Sequence, residues 1–234
     1  MQRILVLNPK GGSGKTTIAT NLASYFASLG DRPLLSDNDS QGSSTRWLKK
    51  RKPDQAYIHG IAAFERNSRT TRSWQMRIPP DAAHVVVDTP AAVLAQDMPE
   101  MTRSADAIVI PVLPSDIDIH AFSKCIADLL LIAKVRRDEN RIGVVANRVK
   151  RNTLTFQSLM RFLNTLRIPV IATLRDSQNY LRAAEQGVGL HEMKKQLVAQ
   201  DLEDWEPLLG WLRAKEAASS QSDPSTASPL QETA

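Results

Sequence analysis

The sequence predicts an α/β domain, a mostly parallel β-sheet flanked by helices on both faces. Three observations carry that expectation. Short apolar runs alternate with amphipathic stretches along most of the chain, at the spacing of strand–helix–strand units. The run His84-Val85-Val86-Val87-Asp88 is apolar without alternation, which suits a strand buried on both faces of a parallel sheet. The first apolar run, Ile4 to Leu7, passes through a glycine-rich turn directly into a helical pattern with Ile18, Leu22, Tyr25 and Phe26 on one face.

Taken in order, the first strand and helix are followed by a turn at Gly30-Asp31-Arg32-Pro33 and a short strand from Leu34 to Ser36. That strand runs out into Asp37-Asn38-Asp39-Ser40-Gln41-Gly42-Ser43-Ser44. A short helix then ends in the basic run Lys49-Lys50-Arg51-Lys52-Pro53. Residues 54–83 are polar and weakly patterned, with one helix expected around Ile58 to Arg66 and a loop near Ile78-Pro79-Pro80. The third strand is His84 to Asp88, and the fourth is Ala105 to Val112, closed by Leu113-Pro114-Ser115. Residues 120–137 form an amphipathic helix whose last turn carries Lys134, Arg136 and Arg137, suited to the negative end of its dipole. A fifth strand (Ile142 to Asn147), a helix (Thr153 to Leu166) and a sixth strand (Pro169 to Thr173) follow. Two helices close the pattern, near 178–186 and 189–213, the second broken at Pro207. From Ala217 the composition turns to Ser, Gln, Pro, Thr and Ala. Residues 1–216 are therefore expected to form one domain, and 217–234 a disordered polar tail.

Composition narrows the function. With 42% hydrophobic and 24% charged residues over 234 positions, the chain can bury a large core. No apolar run approaches membrane-spanning length, and residues 1–20 read as strand and loop rather than a signal peptide, which places the expected protein in the cytoplasm. The lone cysteine, Cys125, lies in an apolar helical stretch. It excludes an internal disulfide and a cysteine-ligated iron–sulfur cluster, and it reads as a small buried hydrophobe. The net charge of +5 and pI near 9.5 permit nucleic-acid binding without establishing it.

The chemistry is concentrated in Asn8-Pro9-Lys10-Gly11-Gly12-Ser13-Gly14-Lys15-Thr16-Thr17. Strand, glycine-rich turn, Lys-Thr-Thr and helix in that order describe a phosphate-binding loop. Glycines let the backbone curl so that its N–H groups face phosphate oxygens, and the helix that follows adds unpaired donors and a positive dipole end. Gly11, Gly12, Ser13, Gly14, Lys15, Thr16 and Thr17 are thus nucleotide-binding candidates. Lys15 would reach the β- and γ-phosphates, and the Thr16 hydroxyl would ligate Mg²⁺. In an open α/β sheet, ligands sit beyond the carboxyl ends of the strands, where Asp37, Asp39 and Asp88 also fall. Asp88, closing a hydrophobic strand, is the candidate carboxylate for the magnesium water shell.

Proline stands at position 9, where the usual phosphate-loop pattern has its first glycine. The stretch Lys10-Gly11-Gly12-Ser13-Gly14-Lys15-Thr16-Thr17 instead resembles the deviant Walker A loop, K-G-G-x-G-K-T-T, of the ParA/MinD family of ATPases. The resemblance covers residues 1 to about 213, with its strong motifs before position 149. It implies a P-loop NTPase fold, ATP and ADP as ligands, Mg²⁺ as cofactor, and hydrolysis of ATP to ADP and phosphate. Asp37-Asn38-Asp39-Ser40-Gln41-Gly42 resembles the family's D-x-D-P-Q-G switch segment, with serine in place of proline. By that resemblance Asp39 positions the hydrolytic water and Asp37 supports the metal shell. Val144-Val145-Ala146-Asn147-Arg148 resembles the stretch whose asparagine recognises adenine, and the loop holding Pro114 would help to hold the base. Lys10 matches the lysine that crosses, in an ATP sandwich homodimer, to the other subunit's phosphates.

Family members of the ParA type bind nonspecific double-stranded DNA as ATP dimers, whereas MinD-like members bind membranes through a C-terminal amphipathic helix. Residues 217–234 hold few large apolar side chains and no basic face, so no membrane partner is expected. Candidate DNA contacts are Arg148, Lys150, Arg151, Arg175 and Arg182, with Arg161, Arg167, Lys194 and Lys195 behind them. The implied protein is a nucleoid-associated switch of the short ParA type, with no DNA-binding domain ahead of its loop. It resembles plasmid-partition and carboxysome-positioning ATPases. A small adaptor of the ParB, ParG or McdB kind would stimulate its hydrolysis. The alternatives are a metabolic P-loop ligase or synthetase of the dethiobiotin type and a MinD-like membrane-associated ATPase.

Overall fold

The computed structural model describes residues 1–65 and 78–221. Its strands are β1 (Gln2–Val6), β2 (Leu34–Asp37), β3 (His59–Ala62), β4 (His84–Asp88), β5 (Ala107–Val112), β6 (Ile142–Val149) and β7 (Val170–Arg175). They form one seven-stranded sheet in the order β3-β2-β4-β1-β5-β6-β7, and every paired neighbour runs parallel. The helices are α1 (Lys15–Ser28), α2 (Ser43–Lys50), α3 (Met98–Arg103), α4 (Asp116–Leu131), α5 (Leu154–Thr165), α6 (Asn179–Gln186) and α7 (Lys195–Gln221). The expected α/β class with a parallel sheet is the one found.

Alternation along the strands divides the core into two layers. Ile4 and Val6 of β1 join the layer built with Ile18 and Leu22 of α1, Trp47 of α2, and Val198, Trp205 and Leu212 of α7. Leu5 and Leu7 join the other, with Met98 of α3, Phe122 and Leu129 of α4, and Leu159 and Leu163 of α5. Each such side chain removed from water contributes about 1.5–3 kcal/mol. All residues of β4 and of β5 are buried, as an apolar run without alternation requires when helices cover both faces. Cys125 is buried in the second layer, and burial pushes its thiol up to about 12.

Several boundaries differ from the sequence expectation, each for a physical reason. Residues 59–62 are a strand, not part of a helix. Leu34 to Asp37 of β2 pair with His59 to Ala62, so a partner distant in the chain overrides a weak local pattern. That adds a seventh strand to the six expected, and Arg66, the end of the expected helix, lies outside the described residues. The helix expected over 120–137 spans Asp116–Leu131. Ser115 caps its start by accepting from the Asp118 amide at 3.2 Å. It ends early because the chain reverses at Lys134 (φ 55°), which carries Val135 into the core with its amide bonded to the Leu129 carbonyl. Pro207 sits inside α7 without ending it, and that helix runs to Gln221, five residues into the expected tail. The rest of that tail lies outside the described residues.

One half-buried histidine gives the fold a pH dependence. His191, in the 3-10 turn Leu190–Glu192, lies with its ring 4.8 Å from that of Tyr25 and edge-on to Trp205 at 6.4 Å. Burial pushes it down to about 4, although the nearby carboxylates of Glu206 and Glu192 pull the other way. The unfolded chain therefore takes up this proton near pH 6.5 while the folded chain does not. Stability is fully present above pH 6.5 and is lost as pH falls toward 4, by about 2 kcal/mol after allowing for partial exposure. Denaturant titrations between pH 7 and 4.5 should show a shallower fall for His191→Phe than for the wild type. Parallel curves would assign the acid sensitivity elsewhere.

Candidate functional site

The loop expected to bind phosphate joins the carboxyl end of β1, near the middle of the sheet, to α1. Gly12 and Gly14 take positive φ (77° and 96°), which side chains with a Cβ rarely adopt. At Gly14 the constraint is also steric, since a Cβ there would lie 2.1 Å from Asn147 Nδ2. Asn8, buried at the loop's entrance, holds both sides of the turn. Its Nδ2 donates to the Pro111 carbonyl at 2.6 Å, and its Oδ1 accepts from the Lys10 amide at 2.8 Å. Pro9 donates nothing to the loop, but its carbonyl accepts from the Ala92 amide at 2.7 Å. The first turn of α1 contains no acidic residue, so its positive dipole end is left for an anion.

Lys15, the first residue of α1, is only 6% exposed, and its ammonium donates to the Lys10 carbonyl at 3.1 Å. Burial holds its pKa below the usual lysine value, against the pull of Asp88 and Asp39. Thr16 Oγ1 donates to Asp88 Oδ2 at 2.8 Å, and the Ser44 hydroxyl donates to the same oxygen. Asp88 Oδ1 is buried with no hydrogen-bond partner among the described residues. Burial pushes this carboxyl up to about 6, with Asp37 adding to the shift and the two hydroxyls opposing it. Asp37 is the direct register neighbour of Asp88 across β2 and β4. It accepts from the Thr45 amide at 2.8 Å and from the Asp39 amide at 3.2 Å, and Asp39 Oδ1 accepts from the Gln41 amide at 2.9 Å.

These donors fit a magnesium ion of one kind. No group of three or more His, Cys, Asp or Glu among the described residues could chelate a metal unaided. A hydroxyl, a dry carboxylate oxygen and a neighbouring carboxylate are hard oxygen donors for an ion that keeps water and phosphate in its own shell. Asp88 Oδ1 is the buried oxygen left for that shell.

The remaining expected residues gather less tightly. Asn147 is buried, and its Nδ2 donates to the Ser13 carbonyl at 2.8 Å, so it braces the loop as well as lying beside it. Pro114 precedes the Ser115 cap of α4 and is partly exposed. A cleft of about 340 Å³ opens between α1, α2 and α6, lined by Thr16, Thr17, Arg46, Trp47 and Tyr180, and neither Asn147 nor Pro114 lines it. Lys10 points into its own chain, with its ammonium 2.7 Å from Asp118 of α4. Of the basic candidates, Arg148 pairs with Asp176, Arg151 with Asp204 and Arg175 with Asp201. Arg182 donates to the side chain of Asn179, and Lys150 is exposed. Sequence reasoning placed Asn8 in the loop without its bracing role, and it missed Ser44 and Asp118 as parts of the site. Ser115-x-x-Asp118 is visible as a helix-start pattern, but nothing local announces its contact with Lys10.

The profile of the CobQ/CobB/MinD/ParA nucleotide binding domain matches residues 4–190. The maintenance of carboxysome distribution protein A of Gloeobacter kilaueensis is 38% identical over 116 residues, 50% of this chain and 51% of that protein. The chain thus spans about half the length of that relative. The protein of the same name from Halothiobacillus neapolitanus is 27% identical over 191 residues, 81% of this chain and 87% of that one. Among solved structures, a putative plasmid partition protein of Borrelia burgdorferi bound to AMPPNP superposes with a TM-score of 0.65. That likeness covers 92% of this chain and 99% of the other at 16% identity, and it speaks to fold.

Proposed function

The chain belongs to the CobQ/CobB/MinD/ParA nucleotide-binding family, and on that premise we propose that it is an ATP-dependent dimerisation switch. In this reading the ATP dimer binds nucleoid DNA nonspecifically. An adaptor protein stimulates hydrolysis, and the cycle distributes a cargo such as a plasmid, a chromosome locus or, as in the named relatives, carboxysomes. The observation that carries it is two lysines in one loop with different surroundings. Lys15 is buried where phosphates would lie, and Lys10 is 30% exposed at the surface. One lysine suffices to grip a nucleotide, and the second is the one a facing subunit could receive.

The chemistry divides among the chain's own groups. Loop amides and Lys15 bind the phosphates, and Thr16 and Asp88, supported by Asp37, hold Mg²⁺. When bound, that ion neutralises charge on the β- and γ-phosphoryl oxygens. Asp39 orients the attacking water, Asn147 and the Pro114 loop hold the base, and Lys10 stabilises charge across the dimer. The exposed pair Arg148–Asp176 costs little to break, so Arg148, with the exposed Lys150, remains available to DNA phosphates. Arg151, whose partner Asp204 is largely buried, Arg175, whose partner Asp201 is fully buried, and Arg182 complete the candidate set.

The test combines three readings of one preparation. With ATP and Mg²⁺ the wild type should elute as a dimer, be retained on DNA-cellulose, and be released by raised salt. Asp39→Ala should keep ATP-dependent retention while turnover falls about a hundredfold. Unchanged turnover would remove Asp39 from the mechanism. Sedimentation with liposomes, or product formation from ATP and a metabolite without DNA retention, would replace this reading by one of its rivals.

A further inference from the structure

We propose that Asp118 is a positioning residue for Lys10. It parks the ammonium inside the lone protomer and thereby sets how much ATP is needed before Lys10 can be handed to a second copy of the chain. The inference rests on the dimerisation switch described above and adds its resting state.

The contact is built rather than incidental. Lys10 Nζ lies 2.7 Å from Asp118 Oδ2, and the Asp118 side chain is 4% exposed. The same oxygen accepts from the Ser115 hydroxyl, and the Asp118 amide donates back to Ser115 Oγ, so the first turn of α4 fixes the carboxylate. The other oxygen, Oδ1, is buried with no hydrogen-bond partner among the described residues. A half-satisfied buried carboxylate depends on its cation, because removing one partner of such a pair leaves an uncompensated charge. Asp118 therefore holds Lys10 more firmly than an exposed aspartate would. Lys10 is the more accessible member, at 30% exposure, on a loop whose turn is set by Asn8.

Two positions of one ammonium follow. In the lone protomer Lys10 completes the Asp118 site. In the nucleotide sandwich it must leave, and the γ-phosphate of the facing subunit has to outcompete the carboxylate. Dimerisation is then weakened by the fraction of time that Lys10 is held back. A triphosphate supplies the missing charge and a diphosphate supplies less of it, so the parked lysine sharpens the difference between ATP and ADP.

The experiment follows dimer formation of the full chain by light scattering against ATP concentration, using a slowly hydrolysed analogue in parallel. Asp118→Asn should lower the half-maximal concentration about tenfold and raise the dimer fraction seen with ADP. Asp118→Glu, which keeps the charge, should return both toward wild type, a rescue that a purely structural role would not produce. Amine labelling read by mass spectrometry supplies a measurement independent of the variants. In nucleotide-free wild type, Lys10 should label more slowly than the exposed Lys150. An unchanged or raised half-maximal concentration in a folded Asp118→Asn protein overturns the proposal, as does Lys10 labelling as fast as Lys150. If the wild type fails to dimerise with ATP at any concentration, the switch itself is wrong, and the labelling arm still decides the position of Lys10.

Discussion

Lys15→Met should remove most of the ATP-dependent stabilisation while leaving the nucleotide-free fold within about 1 kcal/mol of wild type. The two halves of that expectation come from the same surroundings. The Lys15 ammonium is buried, its pKa is held below the usual value by desolvation, and its hydrogen-bond acceptor is a backbone carbonyl. Methionine has nearly the same length and carries no charge to desolvate. Its substitution relieves one cost and adds another, because Asp88 and Asp39 lose a neighbouring cation. For a triphosphate nothing offsets the loss. Truncating one partner of a desolvated charge pair costs about 2–5 kcal/mol, so affinity should fall at least about thirtyfold. In a thermal unfolding series, wild type at a hundred times its dissociation constant should gain about 2.7 kcal/mol from ATP, and the variant no more than about 0.9 kcal/mol at that concentration. An equal gain in both proteins would show that the loop does not place Lys15 on phosphate.

The parts of this site that were legible in the sequence are those whose chemistry is local. Gly12, Gly14, Lys15 and Thr16 are contiguous, and a strand before and a helix after are enough to place them. Asp88 was legible for a related reason, since an apolar run that ends in a carboxylate places that carboxylate at the strand's mouth. What stayed hidden depends on contacts between distant segments. β3 forms because β2 offers it an edge, and its own residues, His59 to Ala62, carry no strand pattern. Ser44 reaches Asp88 only because α2 returns across the end of β2. The Lys10–Asp118 pair joins β1's loop to α4 across the top of β5, and neither sequence motif contains the other partner. The basic candidates were legible as charge but not as pairs. Arg148, Arg151 and Arg175 read as bare charge along the chain, yet in the fold each faces a carboxylate from a different element.

Asp88→Asn should make the nucleotide-free protein more stable and nearly inactive. Its carboxyl is fully buried, and burial pushes it up to about 6, so at pH 8 the fold holds an ionised group that water would stabilise better. The stability tied to this group is fully present below the unfolded carboxyl's pKa and is lost as pH rises through 6. Asparagine does not titrate there. In magnesium-free buffer the variant should therefore exceed wild type by about 2 kcal/mol at pH 8 and by much less at pH 4.5. Its side-chain oxygen can still accept from Thr16 and Ser44, which keeps those two hydroxyls satisfied. Activity should move the other way. Without a negative oxygen beside Thr16, the magnesium shell loses its carboxylate, and ATP turnover should fall at least about a hundredfold. A stability gain together with lost turnover would identify Asp88 as a group kept for chemistry at the fold's expense. If the variant is instead less stable than wild type at pH 8, then the Asp88 charge is holding the loop in place through Lys15, and its burial is a structural arrangement.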